Sequence, residues 1–256
     1  MIINHNITAL NNHRNMGLNN VAAGKSMEKL SSGLRINRAG DDAAGLAVSE
    51  KMRGQIRGLE MAQRNVQDGI SFVQTAEGAM NEVSSMLTRM KELSVQKANG
   101  TYQSSDKTNI DTELTQLGSQ IDRILTDTKF NGIAIAGGTV SIRSDDSTQN
   151  IAINGITTTG ITGLSSTTTL SAIETAITNV STERAKLGAF QNRLEYTSNN
   201  LGTVVENLTA SESRIRDTDM AKEMVNLTKN NILLQASQSM LAQANSQPQG
   251  VLSLLR

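Results

Sequence analysis

The chain has 256 residues, with one proline, three phenylalanines, two tyrosines, no tryptophan and no cysteine, and its 24 basic side chains balance 24 acidic ones. The missing cysteines exclude thiol catalysis, disulfides and Cys-ligated metal centres, and zero net charge gives no field to hold the chain on nucleic acid or an anionic membrane. Neutrality eases self-association instead. No run of about 18 apolar residues is present to span a bilayer, and MIINHNITAL lacks the basic and apolar regions of a cleavable leader. Few breakers and few aromatics favour long helices with thin aliphatic seams.

Residues 1 to about 30 carry Ile3, Ile7, Leu10, Leu18, Val21, Met27 and Leu30 among many asparagines. This is too little apolar area to fold alone. A long helix is predicted from about Ala44 to Lys97. Its seam reads Leu59, Ala62, Val66, Gly69, Val73, Ala76, Met80, Val83, Leu87 and Met90, the alternating 3,4 spacing of packed helices. Asn99-Gly100 is expected to end it as a left-handed cap. A second helix follows, capped by Asp106 or a neighbouring serine and ending near Thr126, with Ile110, Leu114, Leu117, Ile121 and Ile124 on its seam.

From about Phe130 to Thr169 the pattern changes. Asn131-Gly132 and Asn154-Gly155 read as turns, and Val140/Ile142 and Ile151/Ile153 alternate as short strands do. Helical spacing resumes at Leu170, Ile173, Ile177 and Val180 and continues through Leu187, Phe190, Leu194, Leu201, Val204, Leu208 and Ile215. After a break near Arg216-Asp217, a last helix is predicted on Met220, Met224, Leu227, Leu234 and Leu241, with Asn231 and Gln238 filling the seam and Pro248-Gln249-Gly250 stopping it. The last 35 or so residues, like the first 30, lack a partner except each other, so both ends are expected to order when copies of the chain pack together.

Catalytic patterns are nearly absent. His5 and His13 stand eight apart without a carboxylate at ligand spacing, so they supply no metal set. Gly24-Lys25-Ser26 has Asn19 where a phosphate loop needs glycine, and no GxSxG, HExxH or dinucleotide glycine pattern occurs. Asp145, Asp146, Ser147 and Asn150 lack the spacing of a calcium loop and read as a solvated hairpin turn. No cofactor is therefore expected. The triplets at Asn6, Asn179, Asn207 and Asn226 carry little meaning in a helical chain. The cluster Ser165, Ser166, Thr167, Thr168 and Thr169 is the better candidate for O-linked glycosylation. The eleven methionines read as adaptable packing groups.

Five segments carry a family resemblance: LSSGLRINRAGDDAAGLA (Leu30 to Ala47), RNVQDGISFVQTAEGAMNEV (Arg64 to Val83), KFNGI (Lys129 to Ile133), SRIRDTDMA (Ser213 to Ala221) and LAQANSQPQGVLSLLR (Leu241 to Arg256). Together they resemble bacterial flagellin over about 1–138 and 170–256, with only a short region between. The resemblance implies a mainly α fold, a long antiparallel helical or coiled-coil rod with a small β-hairpin region, whose terminal helices pair in a filament core. Its parts would be 1–44 (inner-core helix and spoke), 45–138 and 170–216 (the two halves of the rod), 139–169 (variable hairpin) and 217–256 (second inner-core helix). It implies a non-enzymatic subunit of the extracellular flagellar filament, exported by the flagellar type III apparatus without a leader. Implied partners are further copies of itself, a secretion chaperone, the cap and the hook-associated proteins. A hook–filament junction protein is the alternative within the superfamily.

Two residue sets follow from the resemblance. Arg35, Arg38, Asp41 and Asp42 lie in the spoke and are candidates for polar contacts between subunits, the other reading being a solvated turn. Arg89, Leu93, Gln96 and Glu113 match the family's motif for Toll-like receptor 5, with the first three on one helix face near a seam.

Overall fold

The computed structural model describes residues 6–145 and 149–254. The readings of Ile3, His5, Asp146 and Ser147 lie outside the described residues. The elements run α1 (Ile7–Ser32), α2 (Ala43–Lys97), α3 (Ser104–Asp127), β1 (Lys129–Phe130), β2 (Ile133–Ala134), β3 (Thr139–Arg143), β4 (Asn150–Asn154), α4 (Leu170–Arg216) and α5 (Met220–Leu254). This is a mainly helical fold with small antiparallel hairpins, as the sequence predicts. The chain divides into two compact units, one of Met1–Gly54 with Asn207–Arg256 and one of Gln55–Glu206.

In the unit Gln55–Glu206, the seam predicted for α2 is the core. Leu59, Ala62, Val66, Val73, Ala76, Met80, Val83, Leu87 and Met90 are all buried. On α3, Ile110, Leu114 and Ile121 are buried as expected, but Gly118 and Leu125 replace Leu117 and Ile124. The reason is a close approach: a Cβ on Gly118 would stand 1.9 Å from the Leu164 carbonyl oxygen, so the incoming chain selects the glycine face of the helix. On α4, Ala176 and Glu183 take core positions with Ile173, Val180, Leu187, Leu194 and Leu201, while Ile177 and Phe190 are half-buried and Leu170 and Val204 exposed. The 3,4 register from Ile173 falls on Ala176, one residue before the larger Ile177. Glu183 is neutralised by Lys186 at 2.8 Å.

Local signals account for the ends of these helices, with two corrections. Asn99-Gly100 is not a left-handed cap, since neither residue has positive φ. The chain instead tightens, with Asn99 N donating to Gln96 O (3.1 Å), and the Asn99 Oδ1 accepts from Thr101 N (3.2 Å). Asp106 is not the first cap of α3 but lies within its first turn, where its carboxylate accepts from Gln103 N at 3.2 Å. That charge also suits the positive end of the helix dipole.

Asn131 and Gly132 have φ of 49° and 81°, the left-handed pair that a two-residue hairpin turn needs, and they join β1 to β2. Phe130, beside that turn, meets Phe72 edge-on at 6.0 Å. β3 and β4 pair antiparallel with Ile142 opposite Ile151 and Val140 opposite Ile153. Asn154-Gly155 is no turn: Asn154 closes β4, and Gly155 N donates to Gly138 O at 2.5 Å, too close for a side chain.

On the exposed faces, hydroxyls bond backward into their own helices. Thr75, Thr88, Thr112 and Thr178 each donate to the carbonyl four residues earlier, at 2.9 to 3.0 Å.

In the other unit α1 packs on α5. Asn6 caps α1, accepting from Ala9 N at 3.1 Å, and Gly33 (φ 72°) ends it as a left-handed cap donating to Lys29 O. Asp219 begins α5 by accepting from Lys222 N. Pro248 does not stop α5, which continues to Leu254. A proline inside a helix lacks the N–H for the carbonyl four residues earlier. That carbonyl belongs to Ala244, and the Asn6 side-chain amide supplies the missing donor at 2.7 Å.

Candidate assembly surface

The contact between α1 and α5 combines small and polar side chains with a few large apolar ones, most of them leucines of α5. On α1 and its cap the buried or half-buried positions include Asn6, Ala9, Asn12, Met16, Asn19, Ala23, Ser26 and Leu30. On α5 they include Asn226, Leu227, Asn230, Leu234, Ser237, Leu241 and Ala244. Asn19 Nδ2 reaches Ser237 Oγ at 3.5 Å across the pair. Most of the large apolar side chains face the other way. Ile7 is 68% exposed, Leu10 71% and Val225 67%, and Leu18, Val21, Met27, Met220, Met224, Ile232, Leu233 and Met240 are exposed with them.

This corrects the expected pairing. Of the N-terminal apolar strip only Leu30 turns inward among the described residues, and Met220 and Met224 leave the α5 seam, while Leu227, Leu234 and Leu241 occupy it as predicted. Asn230 and Ser237, not Asn231 and Gln238, fill its polar positions. The physical cause is proximity, because small side chains let two helices approach while bulky ones hold them apart. Met224, Val225, Thr228, Lys229 and Ile232 also line a shallow hollow of about 370 Å³ on α5.

Residues 33–42 connect α1 to α2 and pair with the break between α4 and α5. Leu34 bridges Asp217, Arg35 N donates to Arg216 O (2.6 Å), and Thr218 N donates to Gly33 O (3.0 Å). Each spoke charge has a partner in the same chain. The Arg35 guanidinium donates to Ile215 O and lies 4.0 Å from Asp42, and Arg38 pairs with Glu28 at 2.9 Å. Asp41 Oδ2 accepts from Arg38 N and Asn37 N, which hold its carboxyl below the usual range with help from Lys25 and Lys29. Asp42 Oδ1 accepts from Gly45 N and caps α2.

Beside them is a cluster that the sequence reading missed. Arg216 Nη1 donates to Glu50 Oε1 (2.6 Å) and lies 3.4 Å from Ser49 Oγ, while fully buried Ser49 donates to Glu212 Oε1 (3.0 Å). The only sequence signal was the helix break at Arg216-Asp217.

The four residues matched to the receptor motif do not form one exposed set. Arg89 pairs with Glu113 at 3.0 Å and with Glu92 at 3.3 Å, and the Glu113 hydrogen bond raises the pKa of its guanidinium. Gln96 is exposed and donates to the Tyr102 hydroxyl at 2.9 Å. Leu93 is 2% exposed and belongs to the core.

Comparison with known proteins decides the family. The model of the bacterial flagellin N-terminal helical region matches residues 3–141, and that of the C-terminal helical region matches 170–255. Flagellin of Halalkalibacterium halodurans is 53% identical and flagellin of Bacillus subtilis 50%, each over the whole of both chains. The chain belongs to the bacterial flagellin family.

Among solved structures, Bacillus cereus flagellin is 34% identical over 54% of this chain and 88% of its own, with a TM-score of 0.49. As a flagellin the protein is a structural subunit and not an enzyme, and the full-length flagellin relatives do not favour the hook–filament junction alternative. No helix among the described residues is long and apolar enough to cross a membrane.

In this flagellin the hydroxyl cluster is less open than expected. Ser165, Ser166 and Thr168 are half-buried, and Thr168 Oγ1 accepts from Ser165 N at 2.8 Å. Lys97 holds the Ser166 carbonyl at 3.0 Å. Only Thr167 and Thr169 of the five are exposed.

Proposed function

We propose that this flagellin polymerises into the extracellular filament of a bacterial flagellum, its α1–α5 pair providing the principal apolar contact between copies. One observation carries the reading. The paired terminal helices meet through small and polar side chains and a few leucines and turn most of their large apolar side chains outward, where these gain burial only when another molecule arrives. Open helical growth needs different faces of neighbouring copies to meet without closing a ring, and two outward apolar stripes on different helices provide such faces. Residues 1–44 and 217–256 serve as the core helices with the spoke, 45–138 and 170–216 as the rod domain, and 139–169 as the variable hairpin.

Export through the flagellar type III apparatus, masking of α5 by a secretion chaperone, and contacts with the cap and hook-associated proteins belong to the same reading. The exposed stripe requires cover before assembly. Of the spoke charges, Arg38 is the one we retain as a contact between copies, its side chain being 76% exposed. For Toll-like receptor 5 we retain Arg89, Gln96 and Glu113 as the contact set on the free subunit and assign Leu93 to their support. For O-linked glycosylation we retain Thr167 and Thr169.

Electron microscopy of the purified protein after seeding tests the main reading. Tubular filaments are expected, and monodisperse particles under every condition would overturn it.

A further inference from the structure

We propose that Asn99 is a site of spontaneous modification, converting to aspartate and isoaspartate through a cyclic imide, and that the fold selects it over the other Asn-Gly pairs. Three such pairs occur: Asn99-Gly100, Asn131-Gly132 and Asn154-Gly155. In each, the backbone nitrogen of the glycine is the nucleophile and the asparagine Cγ the electrophile. The glycine N–H proton passes to solvent, the N–Cγ bond forms, and the Cγ–Nδ2 bond breaks to release ammonia. Water then opens the five-membered imide at either carbonyl. Glycine in the second place leaves the nitrogen unshielded, so sequence alone ranks the three sites equally.

The structure separates them. At Asn154 the residue is held in the β3–β4 ladder opposite Thr139, and the Gly155 N–H is engaged by the Gly138 carbonyl at 2.5 Å. The nucleophile is occupied and the backbone extended. At Asn131 the nitrogen is on an exposed turn, but the left-handed backbone (φ 49°) sets Cβ and the next nitrogen on nearly opposite sides of the Cα–C bond. Ring closure needs them on the same side, and leaving that conformation means opening the two-residue turn between β1 and β2.

Asn99 has neither obstacle. It follows α2, outside any ladder, and both Asn99 and Gly100 are exposed. Its backbone is not left-handed, and among the described residues the Gly100 N–H has no hydrogen-bond partner. Its side chain is already folded toward the residues that follow, because Oδ1 accepts from Thr101 N at 3.2 Å. This turns the carboxamide toward the chain segment that contains the attacking nitrogen, a proximity gain. The Thr101 N–H points at Oδ1, the oxygen on which negative charge develops when Cγ becomes tetrahedral. The product puts a carboxylate at the negative end of the α2 dipole, where it is unfavourable.

Peptide mapping by mass spectrometry during incubation of the folded full-length chain in mildly alkaline buffer tests this, with isoaspartyl methyl transfer to identify the isomer. The Asn99 peptide is expected to convert about tenfold faster than those of Asn131 and Asn154. In urea the three rates should converge. Gly100→Ala should slow Asn99 alone, and it preserves the fold, since an added Cβ meets nothing within 4 Å. Equal rates at the three sites in the folded chain, or Asn131 or Asn154 reacting first, would overturn the proposal.

Discussion

Asn6 donates its side-chain amide to the carbonyl of Ala244 across 2.7 Å, four residues before the single proline of the chain. The same side chain accepts from Ala9 N, so one residue both starts α1 and repairs α5. Removing it leaves a helix start uncapped and a carbonyl on a residue only 7% exposed without its donor. Asn6→Ala is expected to cost about 1 to 3 kcal/mol in urea denaturation, from the lost cap and the orphaned acceptor together. In a Pro248→Ala background the cost should shrink, because residue 248 then supplies its own N–H to Ala244. A cycle showing no coupling between the two positions would refute the assignment.

Val225 faces away from α1 and is 67% exposed. Val225→Ser should therefore leave the helical content and melting of the monomer within about 0.5 kcal/mol, the usual range for surface changes, while lowering the extent of polymerisation. Sedimentation of seeded reactions provides the readout. Full polymerisation would remove this stripe from the assembly surface.

Gly118 and Gly78 make opposite predictions from the same substitution. An added Cβ at Gly118 collides with the Leu164 carbonyl oxygen, whereas at Gly78 it meets nothing within 4 Å. Gly118→Ala is expected to destabilise by about 1 to 3 kcal/mol through overpacking, and Gly78→Ala to stabilise by up to about 1 kcal/mol through helix propensity. Urea midpoints of the two variants measure the contrast.

The Asp41 carboxylate is stabilised by the Arg38 and Asn37 amides, which lower its pKa. A depressed carboxyl contributes stability that is fully present above its unfolded pKa and is lost as pH falls through the folded value. Hydrogen exchange at the Asn37 and Arg38 amides should accordingly lose protection in acid, relative to the intrinsic acid profile. In Asp41→Asn that acid-dependent component should disappear, and an unchanged profile would count against it.

What the sequence makes legible is set by side-chain size. The α2 seam can be read directly because large aliphatics recur on one face without competitors nearby. On α4 the core falls on Ala176 beside the more conspicuous Ile177, and on α1 the inward face falls largely on asparagine, alanine and serine while most of the large residues face outward. On α1 a periodicity search weighted by hydrophobicity finds the stripe that needs a partner, not the face already in use. Matching a motif names Arg89 and Glu113, but their ion pair and the burial of Leu93 depend on which side of α2 meets its neighbours. The Asn6–Ala244 bond joins residues 238 apart and has no local signature.

The backward-bonded hydroxyls bear on how a neutral polymer stays wet. Thr75, Thr88, Thr112 and Thr178 have committed their protons to their own helices, so toward solvent they present oxygen lone pairs. Two such surfaces brought together offer each other acceptors without donors, and water, which has protons to give, remains the better partner for both. A chain with no net charge to keep its copies apart can thus restrict adhesion to its aliphatic stripes and leave the rest of its surface hydrated.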